Sequence, residues 1–205
     1  MTPKVEFHFD FGSPNAYLAH KIIPSIEQRT GAKFEYVPIL LGGVFKLANN
    51  QSPIVQFQST KGKLDYMKIE TGRFIRKHGL TGFKFNPHFP VNTVQIMRGA
   101  VAAEMDGRLA KYCDAVFGHM WEEALKMDDA EVIKSALDAA SLDGARTLAR
   151  IQDQEVKDKL LKNTEATVAR GTFGAPTFFV GSEIFFGKDK LADVEEEIVA
   201  QKGKG

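Results

Sequence analysis

Two short stretches far apart in the chain carry residues that could do chemistry. The first is Gly12-Ser13-Pro14, directly after the alternating run Val5, Phe7, Phe9 and Phe11 against Glu6, His8 and Asp10. Such alternation reads as a strand from Val5 to Phe11. Pro14 suits the first turn of a helix, where its missing N–H costs nothing. Ser13 therefore falls at the N-cap. There its hydroxyl meets unpaired backbone N–H groups and the positive end of the helix dipole. That environment stabilises an anion. An ordinary capping serine is the plain alternative. The second stretch is Gly174-Ala175-Pro176-Thr177, a turn ahead of another apolar strand. By itself Ala175-Pro176 reads as an ordinary trans turn.

Elements of a mixed fold must bring these stretches together. Helix one runs from Pro14 to about Arg29, with Tyr17, Leu18, Ile22 and Ile26 at helical spacing, and Gly31 ends it. Lys33 to Ile39 reads as a second strand, completing a right-handed parallel βαβ unit. Strand patterning then disappears. Leu40 to Leu47 is a Gly-broken entry into a short helix, and Asn49 to Pro53 is a polar loop. Helices are expected over Lys61–Lys77, Asn92–Met105, Arg108–Leu125, Asp129–Ala140, Asp143–Ala149 and Gln152–Arg170. Gly79 to Pro90 is a loop carrying three phenylalanines. Thr177–Val180 and Glu183–Phe186 form a hairpin around Gly181-Ser182. A last helix starts at Gly187-Lys188-Asp189 and runs to about Ala200, with a frayed tail after Gln201. The order is βαβ, a long helical block, then ββα. The fold class is α/β, with one discontinuous domain of residues 1–40 plus 171–205 and an all-helical insertion at 41–170.

Composition narrows the function classes. Lys plus Arg number 27 against 26 Asp plus Glu, a net charge of +1. This gives no electrostatic case for nucleic acid or an anionic membrane. No apolar run is long enough to span a bilayer. The single cysteine, Cys113, lies in a helical run and reads as a small buried hydrophobe rather than a nucleophile. Cysteine scarcity and the lack of a signal region fit the cytoplasm. His8, His20, His78, His88 and His119 show no metal-ligand spacing, so no metal is expected.

A split βαβ…ββα with a Gly-Ala-Pro-Thr turn before its third strand resembles the thioredoxin fold. In that fold the proline follows a cis peptide bond beside the N-terminus of helix one. The redox Cys-x-x-Cys is absent, and Ser13-Pro14-Asn15-Ala16 stands in its place. The whole chain is similar to the kappa-class glutathione transferases and, more closely, to the 2-hydroxychromene-2-carboxylate isomerases. The residues carrying the resemblance are Phe9 to Ala19, Leu40-Leu41-Gly42-Gly43, Lys63-Leu64-Asp65-Tyr66, Gly174 to Val180 and Glu183 to Leu191.

The resemblance implies glutathione as cofactor, with Ser13 donating to its sulfur and favouring the thiolate. It implies that the Ala175-Pro176 edge pairs with the cysteinyl unit and that Lys188 and Asp189 meet the γ-glutamyl end. Asn50 and Lys61 match positions reaching the peptide from the insertion; by residue type alone they are a turn residue and a solvated helix start. Gly187-Lys188-Asp189-Lys190 departs from a Gly-Ser-Asp-Arg or Gly-Asn-Asp-Arg run, and Lys190 lacks the bidentate geometry of arginine. Tyr17, Phe89, Asn92 and Trp121 are candidates for an aromatic substrate, although insertion aromatics are more often core. The implied reaction is isomerisation: the thiolate adds to a ring-opened keto acid, rotation follows, and elimination returns the thiolate. A glutathione transferase and a non-catalytic peptide-binding module are the alternatives. The expected partners are a small aromatic molecule and a second copy of the chain.

Overall fold

The computed structural model describes residues 3–203. β1 (Val5–Phe9), α1 (Pro14–Thr30) and β2 (Phe34–Pro38) form the first unit. The helical block comprises α2 (Leu41–Leu47), α3 (Pro53–Phe57), α4 (Lys63–His78), α5 (Val94–Met105), α6 (Leu109–Trp121), α7 (Ala130–Ala139), α8 (Gly144–Arg150) and α9 (Gln154–Ala169). The chain returns through β3 (Thr177–Val180), β4 (Glu183–Phe186), a 3-10 turn (Lys188–Lys190) and α10 (Leu191–Gly203). The sheet order is β2-β1-β3-β4; β1 and β2 are parallel, and the other two pairings are antiparallel. This is the expected βαβ…ββα order around a helical insertion.

β1 is shorter than expected, ending at Phe9, and all five of its residues are buried. The reason is its central place in the sheet. Phe7 and Phe9 pack against Tyr36, and Phe7 also against Phe178, on one face. Glu6 and His8 lie on the other, where Arg170, just after α9, bonds Glu6. The alternation therefore marks two different buried faces, not a buried and a wet one.

α1 lies between the sheet and the insertion, so its buried residues exceed one stripe: Ala16, Tyr17, Leu18, Ala19, His20, Ile22, Ile23 and Ile26 are all inside. Gly31 closes it in the left-handed region at φ 68°, with its N–H on the Glu27 carbonyl. Other boundaries shift for local reasons. Ser52 caps and Pro53 opens α3, a short helix that follows directly on the expected polar loop and that the sequence reading did not assign. α5 starts at Val94 rather than Asn92, because the Asn92 Oδ1 accepts the Val94 N–H and holds the entry turn open. The last helix follows a 3-10 turn and takes in Gln201 to Gly203, contrary to the expected fraying; the rest of that tail lies outside the described residues. Among the described residues no helix is long and apolar enough to cross a membrane.

Candidate functional site

Ser13 is the N-cap of α1, with extended backbone at φ −92° and ψ 114°. Its Oγ accepts the Ala16 N–H at 3.2 Å and donates to the Ala175 carbonyl at 2.9 Å, across 162 residues. The two stretches singled out in the sequence thus meet in one hydrogen bond. The Ala175–Pro176 peptide is cis, and so is Phe89–Pro90, which the sequence reading did not foresee. Thr177 Oγ1 donates to the Gly174 carbonyl and Gly187 N–H to the Pro176 carbonyl, both at 2.9 Å. Gly174 sits so close to the Phe186 ring that a Cβ there would lie 2.8 Å from it. Ser13 is 5% exposed, and its hydroxyl has one proton, now aimed at Ala175. Rotation about the Cβ–Oγ bond would re-aim that proton at a ligand atom above the helix N-terminus while Oγ keeps the Ala16 N–H.

Beneath this turn lies a carboxylate that sequence reasoning passed over. Asp10 is fully buried. Its Oδ1 accepts the Gly12 N–H at 2.8 Å; its Oδ2 accepts the Leu41 N–H at 2.7 Å and the Thr93 hydroxyl at 3.1 Å. Burial raises its pKa, opposed by the donors from Leu41, Gly12 and Thr93. All three partners donate, so both oxygens act as acceptors, the role of an ionised carboxylate. Asp10 therefore ties the Ser13 turn to the start of α2, where the insertion begins, and to the entry to α5 within it.

The other candidates divide into those near this turn and those elsewhere. Asn50 Nδ2 donates to the Phe173 carbonyl at 2.8 Å, which brings the insertion onto the segment leading to Ala175. Lys61 stands exposed in the turn before α4 and is not joined to the other candidates. Lys188 is 4% exposed, with Nζ 2.6 Å from Asp189 Oδ1 and 5.0 Å from the Phe74 ring centroid. Both residues line a cavity of about 400 Å³ with Ile22, Arg29, Arg73 and Leu191. Ile22 is nine residues along α1 from Ser13, about 13 Å at the helical rise, so the cavity lies to one side of the serine. Lys190 Nζ donates to Asp193 Oδ2 at 2.7 Å on the exposed face of the last helix.

Two of the candidate substrate contacts are buried. Tyr17 is 1% exposed, and its hydroxyl donates to Glu122 Oε1 at 3.0 Å. Burial first, and the Glu122 bond second, raise its pKa, so it stays a donor and does not present a base. Trp121 is fully buried, with Nε1 donating to the Phe11 carbonyl at 2.8 Å. Both close the wall behind the site. Phe89 is half-buried and Asn92 exposed on the loop before α5. Cys113 is buried and its thiol pushed well up, which makes it unreactive.

Comparison with known proteins gives a consistent set of likenesses. A family model described as a DSBA-like thioredoxin domain matches residues 4–199. A 2-hydroxychromene-2-carboxylate isomerase of Pseudomonas putida is 27% identical, covering 93% of this chain and 92% of the relative. Glutathione S-transferase kappa 1 of Rattus norvegicus is 26% identical, covering 92% of this chain and 88% of the relative. Among solved structures, that of a 2-hydroxychromene-2-carboxylate isomerase superposes with a TM-score of 0.81 at 26% identity, covering 98% of this chain and 96% of that one.

Proposed function

The chain belongs to the DSBA-like thioredoxin domain family, and from that premise we propose that it is a glutathione-dependent isomerase. Its substrates would be of the 2-hydroxychromene-2-carboxylate type, interconverted with trans-o-hydroxybenzylidenepyruvate-type keto acids. The observation that carries this reading is the Ser13 hydroxyl at the N-terminus of α1, 2.9 Å from the Ala175 carbonyl, in a chain with no cysteine at either turn. A dithiol exchange site needs sulfur there. A hydroxyl at a helix N-terminus instead suits a thiolate brought by a ligand. Similarity to the isomerases and to the kappa transferase supports the same choice.

The residues fit glutathione, a peptide thiol with one ammonium and two carboxylates. Asp189 is 73% exposed at its side chain and offers a carboxylate to the ammonium, while Lys188 beside it offers a cation to a carboxylate. The backbone at Ala175 and Pro176 would hold the cysteinyl unit, and Asn50 and Lys61 would reach the peptide from the insertion. When bound, glutathione supplies a nucleophilic thiolate that is regenerated at the end of the reaction. Ser13 turns its proton from Ala175 to the sulfur. The first-turn N–H groups of α1 add their dipole. Phe89 and Asn92 border the aromatic substrate, and Tyr17 and Trp121 back that wall. We further propose that the protein works as a homodimer in the cytoplasm.

The test is incubation with glutathione and 2-hydroxychromene-2-carboxylate, following the ultraviolet spectrum and free thiol together. A spectral change at constant thiol is expected. Loss of thiol would favour the kappa-transferase reading, which the rat relative makes the nearest alternative. Neither change would reject both.

Ser13→Ala gives a second expectation. One hydrogen bond to a charged acceptor is worth about 1.5–3 kcal/mol, or roughly one to two pKa units. The thiol of bound glutathione should titrate that much higher in the variant, and residual activity should recover as pH rises. Thiolate absorbance against pH measures it. Coincident curves for variant and wild type would reduce Ser13 to a helix cap.

A further inference from the structure

The cavity that Lys188 and Asp189 border extends well away from the Ser13 turn. It holds about 400 Å³ between the second half of α1, the C-terminal half of α4 and the start of α10. Arg29, in its lining, lies about 24 Å along α1 from Ser13 at the helical rise. Ile22, Ile26, Phe74 and Leu191 supply an apolar lining. The carboxylates around it are already committed. Glu195 holds the Arg29 guanidinium at 2.6 and 2.7 Å, Glu70 bonds Arg73, and Asp189 bonds Lys188 at 2.6 Å. Lys77 is the lining cation left over, with His78 next to it. The most buried charge of the cavity is that of Lys188. Its side chain is 4% exposed, against 73% for Asp189. An ammonium has three donors. Asp189 takes one, which leaves one for a glutathione carboxylate and one for a ligand in the cavity. The Phe74 ring joins two of these groups, with its centroid 5.0 Å from the Lys188 ammonium and 4.4 Å from the His78 ring.

We propose that this cavity is a second ligand site, for a small organic anion whose apolar ring lies against Phe74 and Ile22 and whose charged group meets Lys188, Arg73 and Lys77. The site stands apart from the isomerase reading and does not depend on it. Its volume suits a single-ring ligand, and an apolar lining with a few converging polar groups is the usual make-up of such sites. Cations in a partly desolvated cavity attract an anion more strongly than the same charges on an open surface. The field inside is positive. After burial, the charges of Lys77 and Arg29 are what hold the His78 pKa down. A cationic ligand is a poorer match, because each carboxylate in the lining already has a cation.

The probes are phenyl phosphate, benzoate and inorganic phosphate. Each is titrated into the full chain by calorimetry and by proton NMR of the histidine rings, with His78 assigned through His78→Gln. At least one of the two ring anions should bind with a dissociation constant of about 1 mM or below and raise the pKa of His78. The tighter of the two identifies the charged group. Inorganic phosphate, which lacks the apolar body, should bind about tenfold more weakly or worse. The double variant Arg73→Gln, Lys77→Gln changes two exposed positions. It should weaken the tighter probe about tenfold or more at an unchanged melting temperature. Saturating glutathione should alter the probe's affinity by no more than about threefold. No binding of either ring anion, equal affinity in the double variant, or an unmoved His78 titration overturns the proposal. Displacement of the probe by glutathione also overturns it, by making the cavity part of the glutathione site. Probe binding in a protein that does not bind glutathione keeps the cavity site and rejects only the isomerase reading.

Discussion

Asp10→Ala is expected to lower the stability of the fold by about 3–5 kcal/mol, because it leaves three buried donors without their acceptor. The carboxylate is fully buried and accepts from Gly12, Leu41 and Thr93. Truncation leaves two backbone N–H groups and a hydroxyl facing a space with no acceptor, each worth about 1–3 kcal/mol when unsatisfied. Asp10 is not a stabiliser in every sense. Burial raises its pKa, so keeping it ionised in the folded state at neutral pH itself costs free energy. The cost of truncation comes from the orphaned donors. Asp10→Asn should fall between wild type and alanine, since its oxygen still accepts one bond while its amide opposes another donor. Thr93→Val should cost about 1 kcal/mol, for one bond of three. Urea midpoints for the three variants give the order. An Asp10→Ala protein within 1 kcal/mol of wild type would show that water or a shifted backbone replaces the carboxylate.

The same residue shows what the sequence could and could not reveal. Ser13 was legible because its signal is local: a strand, a small polar residue and a proline at the first helical position. The partner turn at Ala175-Pro176 was legible through the order of elements, which sets that turn beside α1. Asp10 was not. Its acceptors' partners lie 31 and 83 residues away, and its place in the alternation marks it as solvent-facing. That alternation failed because β1 is flanked by β2 and β3, with buried side chains on both faces. Tyr17 and Trp121 misled in the opposite way. Their types suit a substrate wall, but each polar tip is satisfied by a distant group, Glu122 and the Phe11 carbonyl. Asn50 had no local signal beyond a turn, and only the family resemblance pointed to it. The helix α3 was legible in principle, since Ser52-Pro53 repeats the Ser13-Pro14 start.

The fold is expected to lose stability steeply between pH 6.5 and pH 4, and His8 is the main cause. Its side chain is inside the sheet's second face, 3% exposed, with the ring 5.0 Å from that of Phe179. Neither ring nitrogen has a hydrogen-bond partner. Nε2 comes to 3.6 Å of Glu6 Oε2, too far for a hydrogen bond. That oxygen is engaged by Arg170 at 2.5 Å, and Arg170 stacks on Phe179 at 3.6 Å. Burial therefore pushes the His8 pKa down to about 4; the Glu6 charge works the other way, and the Arg170 charge adds to the drop. The unfolded chain titrates near 6.5. Between those values the unfolded state binds the extra proton, so stability falls as pH falls, by up to about 1.4 kcal/mol per unit and about 3 kcal/mol across the window. Above pH 6.5 both states are neutral and the contribution is flat. Glu6 acts in a lower window. Burial alone would raise its pKa, but bonds from Lys4 and Arg170 prevail and lower it, so its contribution is lost only as the pH drops below the carboxylate range. His78, lowered mainly by burial, adds a smaller term in the upper window and is separated by His78→Gln. Unfolding free energies from urea at pH 7, 6, 5 and 4.5 test this directly. In His8→Leu the slope between pH 6.5 and 5 should largely vanish, leaving only the His78 term and the onset of carboxylate titration. An undiminished slope in that variant would place the acid sensitivity on other groups and show that His8 is hydrated or paired in solution.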